Sequence, residues 1–235
     1  MTNSRFLKVC GIGSLLAVLS YIGTVIFSSI AGLSRPDDLD GFATFLTNWD
    51  NAKHIMSAYG WAGILGSLFT VPLILGYYQL LRKQGPLHWI PVVIIFHGVF
   101  LLTLAYIVPL IISHTLAPMY LLESDPGAKQ SIAAIVQTLV VMEDFFLIIG
   151  TVITLPTGIS IMAIIDYKES IVPKWINWIA IVTGILGIFT LGTFADGIVK
   201  QVFDIIFIVT LVLMLAWMGI IGVYMMLPQA QKQES

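Results

Sequence analysis

The sequence is poor in charge: aspartate, glutamate, lysine and arginine make up 10% of its 235 residues, whereas 58% are hydrophobic. Soluble domains carry about 25% charged residues, so this composition excludes an ordinary soluble protein and indicates an integral membrane protein. The net charge of −2 gives no basis for a nucleic-acid partner. Cysteine is almost absent, because Cys10 is the single one, and this excludes a disulfide within the chain.

What the sequence has instead is six hydrophobic stretches, each long enough at roughly 20 residues to cross about 30 Å of hydrocarbon. Lipid offers the backbone no hydrogen-bond partner, so every stretch is predicted to be helical. The predicted fold is an all-α, polytopic membrane helix bundle that forms one transmembrane domain, 1–235. The six predicted transmembrane helices are 9–33, 55–81, 89–113, 131–165, 175–194 and 205–227.

Lysine and arginine predict the orientation, because cytoplasmic loops are enriched in both. Seven of the eleven basic residues flank the spans on one side, which is therefore predicted to be cytoplasmic together with both termini. These seven are Arg5, Lys8, Arg82, Lys83, Lys168, Lys174 and Lys232. The other four, Arg35, Lys53, Lys129 and Lys200, fall on the outer side.

The pattern Gly-x-x-x-Thr-x-Pro occurs once in span two and once in span four, and both spans run from outside to inside. The two copies are Gly66, Thr70 and Pro72, and Gly150, Thr154 and Pro156. Glycine and threonine four residues apart favour close helix packing, and proline favours a kink. Because a basic loop and a Trp-Ile pair follow each copy, we predict that spans two–three and four–five are duplicated hairpins in parallel orientation.

The first outer loop carries aromatic and apolar residues at helical spacing over 38–50. One interpretation is a short helix that lies in the outer headgroup region, and the other is an ordinary loop with interfacial aromatics. Asp50 and His54 share a helix face where span two begins, but two ligands are too few to predict a metal. A capping or solvated pair is the simpler interpretation.

The adjacent acids Glu143 and Asp144 stand out because apolar sequence flanks them on both sides. Counted from residue 165, Asp144 lies about 31 Å along the helix, at the outer boundary of the hydrocarbon. Glu143 shares a helix face with the packing residues Gly150 and Thr154, so it is predicted to point into the bundle. The acids are either simple interfacial residues or part of an outward-facing polar pocket.

The groups within reach of the two acids in depth are Asp50, His54, Tyr59, His114, Asp196 and Asp204. The candidate polar pocket comprises Glu143, Asp144, Asp50, His54, His114 and Tyr59. His97 lies deeper, about 12 Å from the cytoplasmic end of span three, and is too far below to contact the acids. A lone histidine in an apolar helix is usually a packed, hydrogen-bonded residue, and a proton carrier is the alternative interpretation.

Three segments give the chain a resemblance: Phe-Leu-Thr-Asn-Trp-Asp at 45–50, Leu-Arg-Lys at 81–83 and Val-Pro-Lys-Trp-Ile-Asn-Trp-Ile at 172–179. Through them it resembles an uncharacterised family of bacterial six-helix integral membrane proteins, a domain of unknown function. The resemblance covers most of the chain and implies a multi-pass protein of the bacterial cytoplasmic (inner) membrane. It implies no catalytic residues.

Three classes of function fit these observations. The first is binding or transport of an ion or small solute, a cation included, through the outward-facing pocket. The second is a structural or regulatory bundle that binds a membrane partner protein or another copy of itself. The third is an intramembrane lipid-modifying enzyme, which is weaker because the sequence has no Ser-His-Asp order, no His-Glu-x-x-His and no run of metal ligands. No cofactor is predicted.

Overall fold

The computed structural model describes residues 3–33, 36, 39–81, 89–169, 171–195 and 197–227. Across these ranges the chain forms seven continuous helical segments and no strand. Six of the seven are long and apolar enough to cross a membrane, which confirms the predicted all-α, six-span fold of a multi-pass membrane protein. Their bounds are Ser4–Ala31, Lys53–Leu81, Trp89–Leu122, Pro126–Lys168, Lys174–Phe194 and Gly197–Met226. Arg35, Asp38, Arg82, Lys83, Asp196 and Lys232, which entered the predictions above, lie outside the described residues.

Local irregularities divide these segments into nine α-helices within the described ranges. They are α1 (Asn3–Ala31), α2 (Leu39–Asn51), α3 (Lys53–Leu81), α4 (Trp89–Ile111), α5 (Ala117–Leu122), α6 (Pro126–Val152), α7 (Ser160–Glu169), α8 (Lys174–Phe189) and α9 (Gly197–Met226). A π-helical turn, Ile112–Leu116, joins α4 to α5, and a second, Ile153–Ile159, joins α6 to α7. A 3₁₀ turn, Thr190–Phe194, ends the fifth span.

Several helices extend beyond the predicted spans. The third continues to Leu122 rather than 113, the fourth begins at Pro126 rather than 131, and the sixth begins at Gly197 rather than 205. The start at Pro126 has a visible cause: the Asp125 carboxylate accepts a hydrogen bond from Ala128 N at 2.8 Å, which is an N-cap. Hydropathy thus predicts the apolar part of the fourth helix, whereas the Asp125 cap sets the residue at which that helix begins.

The two copies of the Gly-x-x-x-Thr-x-Pro pattern share one contact and differ in backbone form. Thr70 Oγ1 donates to Gly66 O and Thr154 Oγ1 donates to Gly150 O, both at 2.8 Å. Pro72 lies within the continuous helix α3, whereas Pro156 lies within the π-helical turn. Proline removes one backbone donor in either place, and a π turn is one of the arrangements by which a helix accommodates that loss.

The chain forms two compact units, and helices α1, α3, α4 and α6 contribute residues to both. The first unit comprises Met1–Leu19, Gly66–Leu101 and Ile148–Ser235. Its helices approach closely at small residues: a Cβ on Gly98 would meet Thr154 Oγ1 and would lie 2.9 Å from Gly150 O. Close approach at small residues is the usual way in which helices pack in lipid.

The second unit comprises Ser20–Leu65 and Leu102–Leu147. Its core includes the aromatic face of α2, whose residues Phe42, Phe45, Leu46 and Trp49 are each at most 4% exposed. They pack with Val108 and Ile112 of the third span and with Val136 and Val140 of α6. The segment 39–51 is therefore helical, and its apolar face is buried in protein; its place in the headgroup region stays a prediction.

Candidate functional site

Glu143 is a buried carboxylate in the second unit, with 3% of its surface exposed. Val136, Val140 and Glu143 follow one another at intervals of four and three, so the helix places all three on one face. The two valines belong to the core cluster, and that packing directs the carboxylate inward. The neighbouring acid, Asp144, is half-buried on the next face.

Tyr59 is the hydrogen-bond donor to this carboxylate, with 3.3 Å between Tyr59 Oη and Glu143 Oε1. The phenol ring of Tyr59 packs edge-on against Tyr106, with 5.5 Å between the ring centroids. Tyr106 in turn lies 6.5 Å from the ring of Tyr21. The aromatic neighbours restrict the Tyr59 ring and so help to hold its hydroxyl toward Glu143.

A cavity of about 80 Å³ lies beside Glu143. The described residues that line this Glu143 cavity are Ser28, Ala31, Leu33, Phe45, Trp49, Met56, Tyr59 and Glu143. Two of its walls are aromatic rings from α2, which pack edge to face at 5.2 Å between Phe45 and Trp49. Trp49 Nε1 donates to Ser113 Oγ at 2.8 Å, and this bond positions the indole. The aromatic face of α2 thus forms both the core of the unit and the wall of the cavity.

The described lining of the Glu143 cavity is acidic rather than basic in composition. Its described lining contains one carboxylate and no lysine, arginine or histidine. The last turn of α1 also lines it. Gly32, directly after α1, adopts a φ of +59° and donates its N–H to Ser28 O at 3.2 Å. The C-terminal end of a helix carries partial negative charge and favours cations. Aromatic faces favour cations as well.

An open surface depression shares Ala31 and Leu33 with the first cavity. We call it the amide cavity, because Asn48 and Asn51 of α2 contribute its polar side chains. Both asparagines are exposed, so the amide cavity is reached from the surface of the unit. The shared residues make the two cavities neighbours.

The other residues of the predicted pocket lie elsewhere in the second unit. Asp50 lies 3.6 Å from Lys53 Nζ, and His114 Nε2 lies 3.1 Å from Ser57 Oγ. His54 is exposed, and Asp50, His54, His114 and Asp144 are not among the described lining residues of the Glu143 cavity. The structure thus brings Tyr59 to Glu143 and leaves the other four outside the cavity.

Neither a metal site nor a proton path emerges from the remaining candidates. Within the part of the chain that the structure describes, there is no group of three or more His, Cys, Asp or Glu residues that could hold a metal ion. His97, in the first unit, is exposed, and its Nδ1–H donates to Val93 O at 2.8 Å. That contact is a local bond within one helix, so the role of His97 as a proton carrier stays a prediction.

Sequence reasoning missed a second buried carboxylate, Asp166 in α7, which has no exposed surface. Asp166 accepts hydrogen bonds from Asn177 Nδ2 at 2.5 Å, from Ile171 N at 3.1 Å and from Val172 N at 3.2 Å. Tyr77 Oη donates to Asn177 Oδ1 at 3.0 Å, and Tyr224 Oη donates to Ile171 O at 2.8 Å. This network ties the turn after α7 to helices α3, α8 and α9 within the first unit.

A signal for Asp166 was present in the sequence. An acid in the last turn of a helix opposes the helix dipole, so it calls for a local reason. Asn177, eleven residues later and within an apolar span, is the polar partner that such an acid requires. The predicted fourth span ends at residue 165, so Asp166 falls one residue beyond it, where hydropathy gives no reason to expect a buried partner.

Comparison of the chain with protein-family models, with curated proteins and with solved structures finds no match in any of the three.

Proposed function

We propose that this protein binds a small cation in the Glu143 cavity. The observation that carries the proposal is a carboxylate, 3% exposed, that lines a cavity with aromatic walls and no basic side chain among its described lining residues. A cation in the cavity would contact the Glu143 carboxyl group and the faces of the aromatic rings that line the same space. The hydrogen bond from Tyr59 Oη to Glu143 Oε1 positions the carboxyl group at the cavity wall.

We infer further that the cavity faces the outer side of a bacterial cytoplasmic membrane. The excess of basic residues on the side opposite Lys53 and Lys129 supports this orientation. The resemblance to bacterial six-helix membrane proteins of unknown function supports the compartment.

We also infer that spans two–three and four–five are duplicated hairpins. Tyr59 and Glu143 are separated by 84 residues, and the same offset relates Gly66 to Gly150. In two repeats related by an axis, residues at matching positions contact each other only near that axis. The contact between Tyr59 and Glu143 therefore supports a duplication whose axis passes close to the Glu143 cavity.

The test is cation binding by the purified, full-length protein in detergent, measured by isothermal titration with ammonium, potassium, sodium and calcium chlorides. We expect saturable binding of at least one monovalent cation. We expect Glu143→Gln, which retains the shape and the acceptor for Tyr59, to weaken binding by about tenfold or more, or about 1.4 kcal/mol.

Asp144→Asn is the matched control, because it removes an adjacent acid that is not among the described lining residues. Its affinity should equal that of the wild type. Equal affinity in Glu143→Gln, with an unchanged circular dichroism spectrum, would overturn the proposal and favour a structural or regulatory bundle. A flux assay in proteoliposomes then separates transport of the bound cation from binding alone.

A further inference from the structure

We propose that the first unit binds the headgroup of an anionic phospholipid at the turn between α7 and α8. The binding residues are the ammonium groups of Lys168 and Lys174 and the aromatic side chains of Tyr167 and Trp178. All four belong to the first unit, so the lipid site shares no residue with the Glu143 cavity. Three features support it: exposed basic residues at one end of the unit, a packed Lys-Tyr-Trp cluster, and an apolar face of α8 that continues from that cluster.

One end of the first unit is formed by the start of α1, the turn between α7 and α8, and the last turns of α9. Ser14 Oγ of α1 donates to Met218 O of α9 at 2.6 Å, and a Cβ on Gly11 would lie 2.7 Å from Met226 Cγ. The two helices therefore run antiparallel, and α1 begins where α9 ends. The hydrogen bond from Tyr224 Oη, described above, attaches the turn between α7 and α8 to the same end.

The charge exposed at this end is positive. Among the residues whose side chains the structure describes, the exposed charged ones here are Arg5, Lys8, Lys168 and Lys174. Asp166, the acid of the same turn, is fully buried and accepts hydrogen bonds from within the protein. The seven basic residues that flank the spans on this side of the sequence outnumber its three acids, which are Asp166, Glu169 and Glu234. Basic residues beside a membrane surface attract anionic lipid headgroups.

Lys174 is part of a packed cluster that joins α7 to α8. Its Nζ lies 5.2 Å from the centroid of the Tyr167 ring, which is a cation–π distance. The same ring packs edge-on against Trp178, with 5.8 Å between the ring centroids. Lys174 and Trp178 are one turn apart on α8, so Tyr167 holds an ammonium and an indole on one face of that helix. Ammonium, phenol O–H and indole N–H groups are all donors that suit a phosphate oxygen.

An exposed apolar face of α8 continues from the cluster into the span. Trp175, Trp178, Val182, Ile185 and Phe189 follow one another at intervals of three and four, and each is more than 40% exposed. This face is about 21 Å long, whereas one leaflet contributes about 15 Å of hydrocarbon. An acyl chain of that leaflet therefore fits along α8 while its headgroup lies at the Lys-Tyr-Trp cluster. Tryptophan is enriched at this boundary between headgroup and hydrocarbon.

Continuity between the basic cluster and the apolar face favours a phospholipid over an acidic protein segment. The net charge of the headgroup then decides which lipid binds. A choline or ethanolamine headgroup carries an ammonium that offsets the phosphate and is repelled by Lys168 and Lys174. Phosphatidylglycerol carries the phosphate charge without that offset, so an anionic lipid is the expected ligand.

The experiment is isothermal titration of the full-length protein, purified in a neutral detergent, with dioctanoyl phosphatidylglycerol and with dioctanoyl phosphatidylcholine. We expect the wild type to bind phosphatidylglycerol about tenfold more tightly at about 0.15 M salt. The preference should decline at about 1 M salt, where the Debye length falls to about 3 Å. Lys168→Gln/Lys174→Gln should weaken phosphatidylglycerol binding by about tenfold or more, because each lysine near a membrane surface contributes about fivefold. Its affinity for phosphatidylcholine should be unchanged.

Lys53→Gln/Lys129→Gln is the matched control. It removes the same two charges from the second unit, where Lys129 Nζ lies 5.3 Å from the centroid of the Tyr120 ring. This variant should keep the lipid preference of the wild type. Lys168→Arg/Lys174→Arg retains the charge at the lipid site and should also keep that preference.

Three results would overturn the lipid site. The first is equal affinity of the wild type for the two lipids. The second is an unchanged preference in Lys168→Gln/Lys174→Gln, with an unchanged circular dichroism spectrum. The third is an equal loss in the two glutamine double variants, which would be an effect of net charge alone. Glu143→Gln should leave the lipid preference unchanged, so the lipid site and the cation site are tested separately.

Discussion

Glu143 and Asp166 are both buried carboxylates, and their surroundings differ in kind. Asp166 is enclosed by donors, since two backbone N–H groups and the Asn177 amide all point at it. Glu143 lies against a cavity, and its Oε1 accepts a hydrogen bond from Tyr59 Oη at 3.3 Å. A carboxylate that is enclosed by donors stabilises a fold, whereas one that lines a cavity can also be reached by a small ion. We therefore assign Asp166 to structure and keep Glu143 as the proposed binding residue.

This assignment predicts a stability effect at Asp166. Asp166→Ala leaves buried backbone and amide donors without an acceptor, so we expect the free energy of unfolding to fall by about 3 kcal/mol or more. Tyr77→Phe removes one outlying hydrogen bond of the same network and should cost about 1 kcal/mol. Both are measured by equilibrium unfolding in mixed detergent micelles. Asp144→Ala, on a half-buried acid, is the control, and an equal loss in Asp144→Ala and Asp166→Ala would contradict the assignment.

At the scale of single residues, the position of each acid relative to an apolar run explains why the sequence points to Glu143 and not to Asp166. An acid within an apolar run is conspicuous, whereas an acid one residue past the predicted end of a span is not. The aromatic walls of the Glu143 cavity were visible as a periodic pattern over 38–50. Their contact with Glu143 depends on tertiary packing between segments nearly a hundred residues apart, and no local pattern carries that information.

At the scale of helices, hydrophobicity predicts the six long apolar helices, because lipid forces every backbone polar group to be satisfied within the helix. Hydrophobicity does not predict the backbone conformation of the helix at each of the two prolines. Pro72 and Pro156 occupy the same sequence pattern, yet one lies in an α-helix and the other in a π-helical turn.

Packing between helices predicts a contrast between two glycines. Gly98→Ala places a Cβ against Thr154 and Gly150, and overpacking of this kind costs about 1–3 kcal/mol. Gly219→Ala is the matched control on α9, because no atom lies within 4 Å of the added Cβ. Alanine there should be neutral or stabilise by about 0.5–1 kcal/mol. Thermal unfolding in detergent measures both variants, and equal melting temperatures would argue against close packing at Gly98.

At the scale of the whole molecule, orientation decides which compartment would supply the proposed cation. The positive-inside rule operates on the loops, so it predicts orientation from sequence more directly than the packed interior does. Four of the basic residues used in that argument lie outside the described ranges, but Lys168 and Lys129 are within them. Cysteines placed at exposed residues on the two predicted sides can therefore be labelled to measure the orientation directly.

The single cysteine makes that measurement clean, because Cys10 is 2% exposed and should give little background with a thiol reagent. Ser124 and Lys168 are both exposed and lie near opposite ends of the fourth span. We expect a membrane-impermeant maleimide to label Ser124→Cys in intact cells, and to label Lys168→Cys only after the membrane is opened. The wild type is the control for Cys10. The reverse pattern would place the Glu143 cavity on the cytoplasmic side, and the ligand would then have to come from the cell interior.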